Sequence, residues 1–226
     1  MRLRFKPNAI PEMKENDRIF FYPRDMKGKW HEVFDNENPI HLEIGAGKGD
    51  FIIEKAKANP DINFIALEMN TNAFVIASRK IIEEELTNVI GLVDYGEELT
   101  ETFDKDEVDY IYINFSTPWP KTKHHKRRLS HPRFLEKYDK IIKSQGIIEQ
   151  KTDDLGFFED SLKYYKEYGL EILESNFDLA EQESIVTEYE RKWRDRQKPI
   201  YYAKARFKWL ILTLLKLNFN LLKDVV

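Results

Sequence analysis

Short apolar runs alternate with amphipathic segments along most of the chain. The apolar runs predict strands, at residues 40–44, 62–68, 89–93, 108–115 and 147–150. Apolar positions at helical spacing predict helices, at residues 51–58, 73–86, 134–143 and 154–168. Strands that alternate with helices predict an α/β fold with a mostly parallel sheet.

The two ends of the chain break this alternation. Two final strands are predicted at residues 170–176 and 199–207, with no helix of ordinary quality between them. We therefore expect an antiparallel pairing at one edge of the sheet. Residues 1–35 predict an irregular, partly basic arm, residues 36–207 the main domain, and residues 208–226 an apolar tail.

The tail is too short, and too interrupted by Lys216, to span a bilayer. We interpret it as an extra helix that packs on the sheet or on a partner subunit. The alternatives are a mobile appendage and a membrane-surface helix, although the tail lacks the strongly cationic face of such helices. The N-terminus has no apolar signal segment, so a cytoplasmic location without membrane association is expected.

Composition narrows the chemistry. The 226 residues include no cysteine, which excludes disulfides, thiolate metal sites and cysteine nucleophiles. The net charge of −4 does not exclude nucleic acid, because binding needs only a local basic patch. Three such patches are present, at Arg2, Arg4 and Lys6, at residues 121–128, and at Arg191, Lys192, Arg194, Arg196 and Lys198.

The chemically richest segment is the loop of residues 114–128, where two prolines flank Trp119 and stiffen the backbone. Its cations expected to contact phosphates are Lys121, Lys126, Arg127 and Arg128. Trp119 either stacks on a base or plugs the loop against the core, and the plain alternative for the whole segment is a solvated loop. His124 and His125 have no partner cysteines or second histidine group at metal spacing, so no metal is expected.

A glycine turn, Gly45-Ala-Gly-Lys-Gly49, separates the first strand of the main domain from its first helix. Glycines there let a ligand approach the backbone, although packing alone also favours them. No Gly-Lys-Ser/Thr follows, which excludes a P-loop. Glu43 and Lys48 beside the turn suit an amino-acid zwitterion. Glu68 ends the next strand, about 20 residues beyond the turn, where carboxylates meet ribose hydroxyls.

These features match S-adenosylmethionine, which has a zwitterion, a ribose and an adenine but no phosphate. The alternative role for Glu43 and for Glu68 is that of a carboxylate at a helix end or in a salt bridge.

Taken together, six motifs resemble those of the bacterial tRNA (guanine-N7-)-methyltransferases. They are KGKWHEVF (27–34), EIGAGKG (43–49), NPDINFIALE (59–68), NFSTPWPKTKHHKRR (114–128), KTD (151–153) and TEYE (187–190). The resemblance runs from residue 2 to residue 207. It implies a Rossmann-like class I methyltransferase fold, with a seven-stranded, mostly parallel sheet, one reversed strand near the edge and helices on both faces.

The resemblance also implies an activity, which is methyl transfer from S-adenosylmethionine to N7 of a guanosine in the tRNA variable loop. The resemblance further implies that S-adenosylhomocysteine is the product and that tRNA is the partner. The enzyme is expected to be a monomer or a homodimer. The implied cofactor contacts are Glu43, Gly45, Gly47, Glu68, Asp94, Tyr95 and Thr117. The implied tRNA or guanine contacts are Lys121, His124, Arg127, Asp153, Thr187, Glu188, Tyr189 and Glu190. Thr117 and Asp153 are the candidate catalytic residues.

This sequence departs from the family pattern at two positions. Thr117 stands where the family often has an aspartate, and Tyr95 where it often has aspartate or asparagine, with Asp94 one residue earlier. Guanine N7 carries a lone pair and no proton, so its attack on a methyl group needs no general base. We therefore expect positioning to dominate catalysis, with a residual hydroxyl contact from Thr117.

Asp153 and Glu190 are the candidates to hold the N1 and N2 donors of guanine. The alternative role for Asp153 is to cap the helix that follows it. Two alternatives to the activity itself are a class I methyltransferase with another substrate and a catalytically inactive tRNA-binding module.

Overall fold

The computed structural model describes residues 5–208, and its centre is an eight-stranded sheet. The strands are β1 (Ile19–Phe21), β2 (Ile40–Ile44), β3 (Asn63–Leu67), β4 (Val89–Val93), β5 (Val108–Asn114), β6 (Ile142–Thr152), β7 (Glu171–Asn176) and β8 (Tyr201–Arg206). The helices are α1 (Ala9–Lys14), α2 (Trp30–Phe34), α3 (Asp50–Ala58), α4 (Thr71–Glu83), α5 (Leu99–Thr102), α6 (Pro132–Ile141), α7 (Leu155–Tyr168) and α8 (Glu188–Arg194). Short 3-10 turns lie at Arg24–Met26, Gly96–Glu98, Thr122–Arg127 and Glu181–Glu183.

The sheet order is β1-β4-β3-β2-β5-β6-β8-β7. Neighbours are parallel from β1 to β6, whereas β8 runs antiparallel to both β6 and β7. This confirms the predicted parallel-dominated α/β fold with one reversed strand near an edge. The count of seven strands was wrong, because β1 pairs with β4 as an eighth strand.

Part of the segment predicted as an irregular arm is built into the fold. Met13 and Trp30 are completely buried. The indole N–H of Trp30 donates to the Thr102 carbonyl oxygen at 3.0 Å. The expectation of irregular structure through residue 35 was therefore wrong. Its short elements, such as the three-residue β1, carry too little periodicity to be recognised locally.

Apolar side chains cover both faces of the sheet, as expected. On one face α2, α5, α6 and α7 pack against the strands through a core that includes Trp30, Phe134 and Phe158. On the other face α1, α3 and α4 contribute Met13, Phe51 and Phe74. Because the helices fill both faces, the loops at the carboxyl ends of the parallel strands are left to form a site.

Residues 209–226 lie outside the described part of the chain, so their interpretation stays a prediction. Within residues 5–208, no helix combines the length and the apolarity needed to cross a bilayer.

Candidate active site

A cleft of about 950 Å³ opens at the carboxyl ends of β2 and β5. The glycine turn after β2, the end of β5 and the helix α8 form its walls. Its lining residues are Glu43, Gly45, Ala46, Gly47, Lys48, Asp50, Phe51, Ala73, Asn114, Phe115, Thr187, Glu188, Tyr189, Arg191, Lys192, Asp195 and Arg196. The tertiary structure thus brings three of the sequence motifs to one cavity, namely EIGAGKG, TEYE and the first two residues of NFSTPWPKTKHHKRR.

The glycine turn leaves room for a ligand at two of its three glycines. Gly45 and Gly47 have φ values of 85° and 58°, and a Cβ added at either would meet no atom within 4 Å. At Gly49 an added Cβ would lie 2.8 Å from the Cβ of Ala77 on α4, so that glycine serves helix packing. The ligand and the packing interpretations of the turn therefore apply to different glycines.

Glu68 holds the turn in this conformation. Its carboxylate accepts the Gly47 N–H at 3.0 Å and the Asn70 N–H at 2.7 Å. Burial raises the pKa of Glu68, while these backbone hydrogen bonds oppose the rise. The carboxylate lies beside the turn without lining the cleft, so its predicted contact with a ribose stays a prediction.

Glu43 and Asn114 form a polar floor with unused oxygens. Glu43 is 2% exposed, and its Oε1 accepts the Asn114 side-chain N–H at 2.9 Å. Neither Glu43 Oε2 nor Asn114 Oδ1 has a hydrogen-bond partner among the described residues. Burial raises the pKa of Glu43 to about 7, against the opposing effects of the Asn114 hydrogen bond and the Lys151 charge. Two unpartnered oxygens at the edge of a cleft suit an ammonium group.

Asp94 and Tyr95, two of the implied cofactor contacts, lie outside the cleft lining. Asp94 is 1% exposed and forms a bidentate ion pair with Arg24, whose second N–H lies 2.9 Å from the carboxylate. The Thr102 hydroxyl and the Tyr95 N–H also donate to it, each at 2.8 Å. Tyr95 is 43% exposed and stacks on Tyr22. The structure thus shows a structural role for Asp94, and its contact with a cofactor stays a prediction.

The basic loop is held in a strained conformation. Phe115 and Trp119 both have positive φ values, of 50° and 44°, which non-glycine residues rarely adopt. The Arg127 guanidinium lies 4.9 Å from the centre of the Trp119 ring, and the His124 ring meets it edge-on at 5.8 Å. Trp119 therefore organises two of the predicted tRNA contacts.

Most of the loop's polar side chains face solvent. Lys121, Lys126 and Arg127 are exposed, as is Thr117, whose hydroxyl makes no hydrogen bond to the described residues. Thr117 does not line the cleft, so its predicted catalytic and cofactor roles stay predictions.

Arg128 differs from the other cations of the loop, because it is only 3% exposed. Its Nε–H donates to the Pro118 carbonyl oxygen at 2.6 Å, and its guanidinium forms an ion pair with Asp160 on α7. Arg128 therefore fastens the loop to the domain. The expectation that it contacts phosphate was wrong, since a sequence pattern does not distinguish buried from exposed members of a charge run.

Asp153 is free of the capping role proposed as its alternative. The side chain of Asp154, the next residue, caps α7 by accepting the Phe157 N–H at 2.8 Å. Asp153 is half-buried, and burial raises its pKa while Lys198 and Lys192 oppose that rise. Asp153 does not line the cleft, so its predicted contact with guanine stays a prediction.

Three residues of the TEYE motif line the cleft. Thr187 caps α8 by accepting the Glu190 N–H at 3.1 Å, and Glu188 forms an ion pair with Lys48 of the glycine turn. Tyr189 is 44% exposed, and its ring lies 5.2 Å from that of Phe115. The motif therefore forms the wall opposite the glycine turn.

Glu190, the fourth residue of the motif, is completely buried and does not line the cleft. Its carboxylate accepts from Lys151 at 2.8 Å, from Arg194 at 2.7 Å and from the Ser184 hydroxyl at 3.0 Å. These contacts show a structural role for Glu190, and its predicted contact with guanine stays a prediction.

Several lining residues were not among the predicted site residues. Asn114 and Phe115 follow from topology, because β5 lies beside β2 and their carboxyl ends meet. Arg191, Lys192 and Arg196 belonged to a recognised basic patch, but its position next to the glycine turn was not readable from the sequence. Within residues 5–208 no group of three or more His, Asp or Glu side chains is arranged to hold a metal ion.

Comparison with known proteins adds independent evidence. A family model described as "Putative methyltransferase" matches residues 37–203. A tRNA (guanine-N(7)-)-methyltransferase of Clostridium tetani is 44% identical over 211 residues, which cover 92% of this chain and 100% of that protein. Another of Bacillus subtilis is 44% identical over 212 residues, with the same shares of the two chains covered. The matched region includes both the glycine turn and α8.

Solved structures support the fold. A structure of an antibiotic-related methyltransferase has a TM-score of 0.65 and 18% identity, covering 81% of this chain and 94% of that one. The 16S rRNA methyltransferase KamB has a TM-score of 0.64 and 13% identity, covering 80% and 93%. At these identities the similarity concerns the fold alone, which is the Rossmann-like methyltransferase fold that the sequence predicted.

Proposed function

Because this chain belongs to the family of tRNA (guanine-N(7)-)-methyltransferases, we propose that it methylates N7 of a guanosine in the tRNA variable loop, with S-adenosylmethionine as donor. The observation that carries this proposal is the shared cleft. The open glycine turn, the unpartnered oxygens of Glu43 and Asn114, and the cations of the α8 region all line one cavity.

The floor and the turn fit the methionine part of the cofactor. Glu43 Oε2 and Asn114 Oδ1 would accept from its ammonium group, and the open face of Gly45 and Gly47 would admit its chain. Glu68 still has lone pairs for ribose hydroxyls, because an ionised carboxylate has about four acceptor positions and two backbone N–H groups occupy only some of them. When bound, S-adenosylmethionine supplies a methyl group activated by a sulfonium.

The protein's main task is then to orient the target base. A bond forms between guanine N7 and the methyl carbon while the sulfur–carbon bond breaks, giving a cationic base and S-adenosylhomocysteine. No proton leaves N7, so no side chain has to act as a base. Tyr189 and Phe115 offer apolar ring surface to the base. Asp153 is the candidate acceptor for its N1 and N2 donors.

Cations on two elements would hold the tRNA backbone. Lys121, Lys126 and Arg127 are exposed on the basic loop, next to His124. In the second group three cations surround Trp193, namely Lys192, Arg196 and Lys198, at 5.1, 5.2 and 4.8 Å from its ring. Such contacts make affinity fall steeply with salt. We further propose that the reaction needs no metal, takes place in the cytoplasm and is carried out by a monomer or a homodimer.

Mass spectrometry of tRNA nucleosides tests this function directly. Incubation of unmodified tRNA with the protein and S-adenosylmethionine should yield 7-methylguanosine, and omission of the cofactor should abolish it. With a labelled cofactor, label in protein or in small molecules instead of tRNA would contradict the proposal. Binding of tRNA without binding of cofactor, measured by calorimetry, would favour the inactive tRNA-binding module.

A further inference from the structure

Lys151 is a buried ammonium group at the end of β6 that the proposed reaction does not use. It belongs to the KTD motif, yet it is only 2% exposed. Its three donor hydrogens have three acceptors, the Ser184 hydroxyl at 2.9 Å, the Ile185 carbonyl oxygen at 3.1 Å and the Glu190 carboxylate at 2.8 Å. All three acceptors lie in the segment that leads into α8 and begins it.

The same residue also contacts the opposite wall of the cleft. Its backbone carbonyl oxygen accepts the N–H of Phe115 at 2.8 Å. Phe115 is the second residue of the basic loop and has a positive φ. Its ammonium lies 5.1 Å from the Phe51 ring and 5.7 Å from the Phe115 ring, and both rings line the cleft. Lys151 thus joins the β5 wall of the cleft to the α8 wall.

We propose that Lys151 is a positioning residue for methyl transfer, whose ammonium fixes residues 184–190 so that the Tyr189 ring packs against Phe115 in the base-binding part of the cleft. This inference rests on the proposed function. Tyr189 directly precedes Glu190, so the Lys151–Glu190 ion pair sets where the Tyr189 ring stands. A buried lysine is costly, and desolvation lowers the pKa of Lys151 while Glu190 opposes that shift. The ion pair fixes the position of residues 184–190, a role that buried ion pairs have in some proteins.

Lys151→Met tests the proposal, because methionine keeps the length of the side chain and removes its charge and donors. The single-turnover rate on bound tRNA should fall about 100-fold, the cost expected for a misplacement of about 1 Å. Dissociation constants for tRNA and for S-adenosylmethionine should each change less than about fivefold, because the cationic surfaces and the glycine turn remain. Hydrogen exchange should become faster in residues 184–190 and stay unchanged in β2.

The matched control is Lys143→Met, which removes another paired lysine, bound to Asp109 on the sheet away from the cleft. Its single-turnover rate should equal that of the wild type. Should Lys151→Met fail to fold, Ser184→Ala deletes one of the three hydrogen bonds and leaves the ion pair. Its rate should fall by about tenfold, the loss expected for a smaller displacement of the same segment.

Two outcomes would overturn the proposal. One is a rate for Lys151→Met within about threefold of the wild type, a change too small for lost positioning. The other is unchanged hydrogen exchange in residues 184–190. A wild-type protein that does not methylate tRNA would instead refute the proposed function, and the exchange measurement would still decide whether Lys151 fixes the segment.

Discussion

The buried carboxylate of Glu43 destabilises the fold and is at the same time suited to bind a ligand. Its carboxylate is buried beside the glycine turn, with one oxygen bound to Asn114 and the other without a partner among residues 5–208. A buried charge with incomplete hydrogen bonding destabilises a fold, so the arrangement is explained better by a ligand than by stability.

Glu43→Gln should separate these two effects. The amide keeps the shape and loses the charge, so affinity for S-adenosylmethionine should fall about 10- to 100-fold, as expected for loss of a charge-assisted hydrogen bond. Calorimetric titration at pH 8 measures this. Unchanged affinity would show that Glu43 does not contact the ammonium group.

The titration of Glu43 gives a pH dependence of fixed sign. Its pKa is raised from 4.5 to about 7, so the folded protein binds this proton more tightly than the unfolded chain. The protonated side chain contributes its full stability below about pH 4.5, and this contribution is lost as the pH rises to about 7. The ionised carboxylate, which would bind the ammonium group of the cofactor, becomes the main form as the pH rises through about 7. The melting temperature of Glu43→Gln minus that of the wild type should therefore be larger at pH 8 than at pH 5. Wild-type cofactor affinity should increase from pH 6 to pH 8.

Thr117 tests the claim that positioning suffices. It is exposed and makes no hydrogen bond to the described residues, so Thr117→Ala should lower the single-turnover rate by less than about tenfold. Quenched-flow measurement with saturating tRNA and cofactor gives this rate. Loss of activity while both ligands still bind would show that the hydroxyl takes part in the reaction.

At the level of elements, the basic loop divides its neighbouring cations between two tasks. Arg127 is exposed beside Trp119, whereas the next residue, Arg128, is buried against Pro118 and α7. The 3-10 turn Thr122–Arg127 ends between them, which turns the two side chains in different directions. Charge alone therefore does not define the tRNA surface.

This division predicts different losses for two adjacent substitutions. Arg127→Ala should weaken tRNA binding and reduce the slope of log affinity against log salt by about 1, with the melting temperature unchanged. Arg128→Ala should lower the melting temperature, because it leaves the Pro118 carbonyl and Asp160 without their donor. Filter binding at several salt concentrations and thermal melting would measure both. Identical profiles for the two variants would contradict the assignment.

At the scale of the whole molecule, the N-terminal segment completes the sheet and contacts the carboxyl end of β4. The strand β1 covers the edge of β4, and Arg24 reaches Asp94 at the carboxyl end of the same strand, 70 positions away in sequence. An edge strand protected in this way offers fewer free backbone groups for aggregation. The segment is therefore part of the fold, in addition to any role in binding RNA.

Two substitutions in α1 test this. Met13 is completely buried and Ile10 is 45% exposed, so Met13→Ala should lower the free energy of unfolding by about 2–5 kcal/mol while Ile10→Ala changes it little. Urea denaturation followed by circular dichroism measures both. A loosely attached arm would instead make the two substitutions equally neutral.

The sequence by itself determined the features that depend on local chemistry. The strands at 40–44 and 89–93 and the glycine turn were predicted because apolar periodicity and glycine placement act over a few residues. The reversed strand was predicted because no helix of ordinary quality separates the last two strands, and the family resemblance implied it as well. The boundary between α6 and β6 was misplaced. The register shift between β5 and β6 and the positive φ of Gln145 depend on pairing with a distant strand.

Only the tertiary structure decided which charges are free and which are bound. Arg24 with Asp94, Arg128 with Asp160 and Lys151 with Glu190 join residues 70, 32 and 39 positions apart. Each pair looks like ordinary surface charge in the sequence, since burial is a property of packing and not of residue type. The meeting of α8 with the glycine turn has the same origin, because the order of strands in the sheet sets it.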